Sequence, residues 1–169
     1  MQIKVVNCPD IEFKPYVIRA VEFYGKELIP SKRIYKNLYL EVKFNSKMPV
    51  YAFANIEDYN ASGKAREFKI EIHPWIGARE ILSTLAHEMV HVKQYVYGET
   101  NDTLSMWKGV PVDSDAVDYY NQPWELEAYG MEAGLFHKFA VQEKLWEVFS
   151  DVGDPNRKID YRKIKWKIE

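Results

Sequence analysis

AREILSTLAHEMVHVKQYVYG, residues 78–98, decides how the rest of the chain is read. Ile81, Leu82, Leu85, Met89, Val92 and Val96 recur at the three- and four-residue spacing of a single helix face. Gly98 closes the pattern as a C-cap residue, so the stretch predicts a helix from Ala78 to about Tyr97. His87 and His91 fall roughly opposite the apolar stripe, with Thr84 and Gln94 near them. Residues four apart sit one turn apart, separated by about 40° around the axis, so the two imidazoles point the same way. Aliphatic side chains already occupy the core face. The histidines must look toward solvent or a cleft wall.

Two of the four histidines in the 169-residue chain are in this HEMVH segment. Imidazoles placed in this way can hold one Zn²⁺ through nitrogen at ~2.0–2.1 Å. Glu88 lies about 100° from His87. That is a poor position for a third ligand and a suitable one for a general base acting on water. A catalytic zinc site takes three protein ligands and keeps one position open. A metzincin would continue with glycine and histidine where this chain has Gln94 and Tyr97, so that class is excluded. His137 lies mid-helix with no motif around it and reads as a surface or partly buried helical residue. His73 reads as structural. Carboxylates remain, and PWELEAYGMEAGLF, residues 123–136, holds the best of them. On a helix, Trp124, Ala128, Met131, Leu135 and Phe139 form an apolar stripe, with Glu125 and Glu132 on one flank and Glu127 on the other. Periodicity does not choose among the three.

HEMVH followed by PWELEA resembles the gluzincin group of zinc peptidases, including its short single-domain, SprT-like phage members. The resemblance covers roughly residues 68–136. In that group a glutamate on a second helix completes the site and is commonly followed three residues later by alanine. Glu125 and Ala128 match that register, and Trp124 is similar to the thermolysin branch. The resemblance therefore implies His87, His91 and Glu125 as metal ligands and Glu88 as catalytic base. It implies a zinc-dependent endopeptidase acting on a protein or peptide substrate. It also implies a strand before the motif helix that lines the substrate groove, a place that residues 68–72 occupy. Tyr129 departs from the usual Asp or Asn, so the hydrogen bond that orients a ligand must come from elsewhere, with Asp113, Asp115 and Asp118 as candidates. Tyr95, Tyr119, Tyr120 and Tyr129 are candidate oxyanion donors. The rival reading is a non-catalytic binding module in which zinc is only a structural staple, against which Glu88 argues.

Outward from these two helices, MQIKVV predicts a first strand and residues 14–28 a helix ended by Pro30. Residues 38–44, 50–56 and 68–72 alternate as strands, with a polar loop or hairpin between the last two. Residues 99–122 read as short strands or loop. Pro123 suits the first position of a helix that runs to about Phe149. Strands first and two long helices after give an α+β class. The resemblance implies a zincin-like architecture, a small mixed or antiparallel sheet packed on the HExxH helix, with a second long helix carrying the third ligand. The domain is expected to span 1–155, with 156–169 as a basic C-terminal strand or tail.

Composition agrees with a globular domain: 47% hydrophobic, 15% aromatic and 28% charged residues. A formal charge of −2 offers no global field for nucleic acid or an anionic membrane. Six Lys/Arg between Arg157 and Lys167 are the one basic cluster, read as a solvated tail rather than a nucleic-acid contact. The single Cys8 excludes an internal disulfide and every multi-cysteine zinc site. With no secretory signal pattern and no run of ~18 apolar residues, the expected compartment is the cytoplasm.

Overall fold

The computed structural model describes residues 1–48 and 52–153. Its elements are β1 (Gln2–Val6), α1 (Lys14–Leu28), α2 (Lys32–Lys36), β2 (Tyr39–Phe44), β3 (Ala52–Tyr59), β4 (Ala65–Ile72), α3 (Ala78–Tyr97), the short β5 (Met106–Trp107) and β6 (Val110–Pro111), and α4 (Pro123–Glu143). This is the α+β class read from the sequence. Residues 156–169, expected as a strand or tail, and Val50 of the third expected strand lie outside the described residues.

The main sheet runs in the order β1-β2-β4-β3. β1, β2 and β4 are parallel, and β3 is antiparallel to β4 at the edge. Alternation along the strands sends Leu40, Val42 and Phe44 of β2, and their partners Phe68, Ile70 and Ile72 of β4, to one buried face. Each such side chain contributes roughly 1.5–3 kcal/mol by leaving water. The opposite face is a charged ladder, with Lys4 on Glu41 at 2.8 Å, Lys43 on Glu71 at 3.1 Å and Lys69 on Glu57 at 3.3 Å. Period-two patterning therefore fixes a sheet covered by helices on one side and by water on the other.

α3 supplies the helical layer over that core. Ile81, Leu82, Leu85, Met89, Val92 and Val96 are all buried, as their spacing predicts. α1 joins it through the buried Tyr24, whose hydroxyl donates to the Leu82 carbonyl at 3.1 Å. α4 lies on the far side of α3 and buries Trp124, Ala128, Leu135 and Phe139. α3 is thus packed on two sides, which puts its histidine face against a helix rather than in open solvent.

The polar stretch between the last two strands is a hairpin, one of its two readings, with the strands extending into it and the reversal confined to residues 60–64. Three expectations need correction. α4 ends at Glu143, because Lys144 takes a left-handed conformation at φ 50° and the apolar residues beyond it form a 3₁₀ turn at Leu145–Glu147. α2 was not anticipated; Ser31 caps it, its Oγ accepting from the Ile34 amide at 3.4 Å. Residues 68–72 belong to β4, which is paired on both sides, so that strand has no free edge along a groove. The sheet edge next to β4 belongs to β3.

One contact from the far end of the described chain holds α3 in place. The α3 N-cap is Gly77, which has no side chain to cap with. Asp151 does this instead, its Oδ2 accepting from the Arg79 amide at 2.9 Å. A Cβ on Gly77 would sit 2.5 Å from that oxygen, so a larger residue there would push the carboxylate off the cap. The carboxylate also meets the positive end of the helix dipole.

Candidate metal centre

α3 and α4 bring His87, His91 and Glu125 together. One potential donor atom from each lies within 4.8 Å of the others. His91 Nε2 is 3.2 Å from His87 Nε2. Glu125 Oε2 is 3.2 Å from His87 Nε2, and Glu125 Oε1 is 3.5 Å from His91 Nε2. Three donors on a tetrahedral ion at ~2.0–2.1 Å would stand about 3.3–3.4 Å apart, so the triangle has the right size. Local sequence explains the placement. The histidines are one α3 turn apart, and Glu125 lies in the first turn of α4, where Pro123 starts the helix. Trp124, fully buried, anchors that turn by donating its indole N–H to Gln122 Oε1 at 3.0 Å.

The other two ring nitrogens face polar side chains. His91 Nδ1 is 2.9 Å from Gln94 Oε1. His87 Nδ1 is 3.3 Å from Glu132 Oε2 but lacks the alignment of a hydrogen bond. Both Nδ1 atoms thus face acceptors, which favours the N–H there and leaves both Nε2 lone pairs converging at 3.2 Å beside a carboxylate. Two lone pairs and an anion in contact repel unless a cation sits among them. That donor set fits a divalent metal ion, and when no ion is bound a proton must take its place.

The charges follow from this packing. Burial is the largest single influence on His87 and opposes its protonation. Contacts with Glu125 and Glu132, and the charge of Glu88, outweigh it and lift the imidazole to about 9. Burial likewise works against ionised Glu125, but His87 and His91 overcome it and hold that carboxyl near about 2. Glu88 differs: burial pushes its carboxyl up, and the neighbouring imidazoles only partly offset this.

Glu88 lines a cleft of about 780 Å³ together with His87. Arg79, Glu80, Ser83 and Thr84 of α3 line it, as do Tyr119, Tyr120, Tyr129 and Ala52 of β3. The tyrosines touch in sequence, with ring centroids 5.3 Å apart for Tyr119 and Tyr120 and 5.7 Å for Tyr120 and Tyr129. The Tyr129 ring reaches His87 at 4.5 Å. Burial and the adjacent Glu125 carboxylate raise the Tyr119 phenol. Tyr95 borders a separate depression with Tyr59 and Asp102, with the charges of Glu88 and Glu125 reaching its phenol.

No protein-family model, curated protein or solved structure matches this chain. The reading of the site therefore rests on its own chemistry.

The remaining sequence candidates sort cleanly. Glu127 faces away from the donors and accepts from Lys93 at 2.9 Å and Lys108 at 3.2 Å. Glu132 stands behind His87, held by the Ser83 hydroxyl at 2.6 Å. Asp118 accepts from the Tyr120 amide and Asp113 from the Asp115 amide, so these serve turns rather than histidines. His137 is exposed on α4, and His73 accepts from the Trp75 amide at 3.3 Å. Sequence reasoning had noted Gln94 and Glu132 near the site without giving either a contact to a histidine. The only signal in the chain was position, since Gln94 follows His91 by three and Glu132 follows Glu125 by seven. Among the described residues no helix is long and apolar enough to cross a membrane.

Proposed function

We propose that this chain is a zinc-dependent endopeptidase of zincin-like, gluzincin-type architecture, with His87, His91 and Glu125 as metal ligands and Glu88 as general base. One observation carries the reading. Two imidazole lone pairs and a carboxylate converge at tetrahedral spacing, and a buried glutamate from the same helix lines the adjoining cleft.

Zn²⁺ bound to two imidazoles and a carboxylate supplies Lewis acidity, polarising a carbonyl and acidifying water near neutral pH. Glu88 takes the proton of the attacking water and returns it to the leaving amine. Burial suits it to the first role, because raising the carboxyl pKa makes the carboxylate a stronger base toward water. Glu125 stays ionised and holds its charge toward the histidines. Tyr119, Tyr120 and Tyr129 offer hydroxyl and ring surface to a bound chain. Ala52, at the start of edge strand β3, borders the same cleft, so an extended peptide can pair with that edge while its backbone crosses the site.

The test joins metal analysis to hydrolysis. Wild-type protein should take up about one Zn²⁺ per chain and cleave an unfolded protein substrate, with cleavage lost on chelation. Glu88→Gln should keep its metal and lose about 10²–10⁴-fold in rate. Wild-type hydrolysis by Glu88→Gln would overturn the base assignment. A fourth protein ligand on the metal would convert the reading to a zinc-stabilised binding module.

A further inference from the structure

We infer that Gln94 is the positioning residue that fixes which ring nitrogen of His91 faces the metal site. The inference rests on the metal-binding part of the proposed function and is independent of the peptidase chemistry.

Gln94 is fully buried, an unusual place for a side chain that must satisfy both an amide N–H₂ and a carbonyl. Its Nε2 is 2.9 Å from the Trp124 carbonyl and 3.1 Å from Glu127 Oε2. Both partners are acceptors only, so the amide nitrogen must occupy that end. Turning the amide over would press its oxygen against a carbonyl and a carboxylate and leave two donors pointing at His91. The orientation is therefore set by the partners. Gln94 Oε1 then faces His91 Nδ1 at 2.9 Å. An acceptor there requires an N–H on Nδ1, and a neutral imidazole with that proton carries its lone pair on Nε2. That lone pair lies 3.2 Å from His87 Nε2 and 3.5 Å from Glu125 Oε1.

Glu127 is itself fixed, accepting from Lys93 at 2.9 Å and from Lys108 at 3.2 Å. Lys108 belongs to the turn between β5 and β6. The order of contacts is thus hairpin, Glu127, Gln94, His91, and each link removes a choice from the next. Tyr129 stands where the resemblance leads one to expect the orienting Asp or Asn. In this chain a glutamine on the motif helix does that work for His91, while Glu132 stands behind His87.

One variant and one measurement on the wild type test this. Gln94→Met keeps the volume and loses donor and acceptor together. Zn²⁺ affinity is read by competition with a chromophoric chelator, alongside a thermal melt to confirm folding. Gln94→Met should lose about 10–100-fold in affinity. In Co²⁺-substituted wild type, NMR should show a hyperfine-shifted, slowly exchanging Nδ1–H on His91, and Gln94→Met should lose its protection from exchange. Unchanged Zn²⁺ affinity in folded Gln94→Met would overturn the inference and leave the metal site standing. Coordination of Co²⁺ through His91 Nδ1 in the wild type would overturn it even if Gln94→Met did not fold. A wild type that binds neither ion would overturn the metal reading and this inference with it.

Discussion

His87 and His91 meet through their Nε2 atoms at 3.2 Å, with a Glu125 oxygen as the third corner. Such a contact is stable only with positive charge inside it. Zn²⁺ should therefore stabilise the fold by mass action, by about 4 kcal/mol at a thousandfold excess over Kd. Differential scanning calorimetry with and without Zn²⁺ checks this. An unshifted Tm at saturating metal would mean that the triangle does not bind the ion.

Variants at Glu125, Glu132 and Glu127 of α4 should rank in metal affinity. Glu125→Ala removes a donor atom and should cost more than 100-fold. Glu132→Ala removes only the carboxylate behind His87 and should cost about 10–100-fold. Glu127→Ala should cost least, because the Trp124 carbonyl still orients Gln94. Isothermal titration of the three variants reads the order. A Glu132→Ala deficit larger than that of Glu125→Ala would move the ligand two turns along α4.

The metal-free protein should depend on pH in two windows. His87 has a folded pKa raised to about 9, above the ordinary histidine value of about 6.5. Its contribution is complete below about 6.5 and is lost as pH rises through about 9. Glu125 is held near about 2, so its contribution is present above the ordinary carboxyl range of about 4.3 and is lost as pH falls toward about 2. Chemical denaturation of metal-free protein should show stability falling on both sides of an optimum between roughly 4.5 and 6.5. Zn²⁺ should abolish the alkaline fall, because the bound imidazole is neutral, and its uptake at pH 7 should release about one proton or more. Stability of the metal-free form that rises steadily from pH 6.5 to 9 would contradict the His87 assignment.

Asp151→Ala should cost about 1 kcal/mol, the usual loss of a helix cap, with no effect on metal affinity. Gly77→Ala should cost no more than this, since its Cβ, 2.5 Å from Asp151 Oδ2, displaces the same carboxylate. Urea midpoints of both variants test this. Wild-type midpoints would show that the Asp151 contact contributes nothing in solution.

How much of this the chain disclosed depended on the range of the forces involved. α3 was legible because its apolar stripe and Gly98 are local signals, and Gly98 does adopt φ 66°. The start of α4 was legible from Pro123. Its end was not, because Lys144 carries no mark of a left-handed residue and the apolar run continues through Leu145 and Trp146. The strands could be found, but their order could not. Which strand is an edge is decided by pairings between distant segments, and that is why residues 68–72 were given a groove that borders β3 instead. The histidine pair and Glu88 came from spacing alone. Glu125 needed a resemblance to separate it from Glu127 and Glu132, and the geometry now groups it with the histidines. Gln94 gained its role only from partners thirty and more residues away.

The edge strand β3 carries one further consequence. Its pairing with β4 is irregular at Ile56, Asp58 and Tyr59, and Glu57 and Asp58 lie along the same stretch. A kinked rim bearing carboxylates is a poor template for stacking one molecule's sheet on another's. Concentrated solutions of this protein should therefore resist fibril growth through that rim.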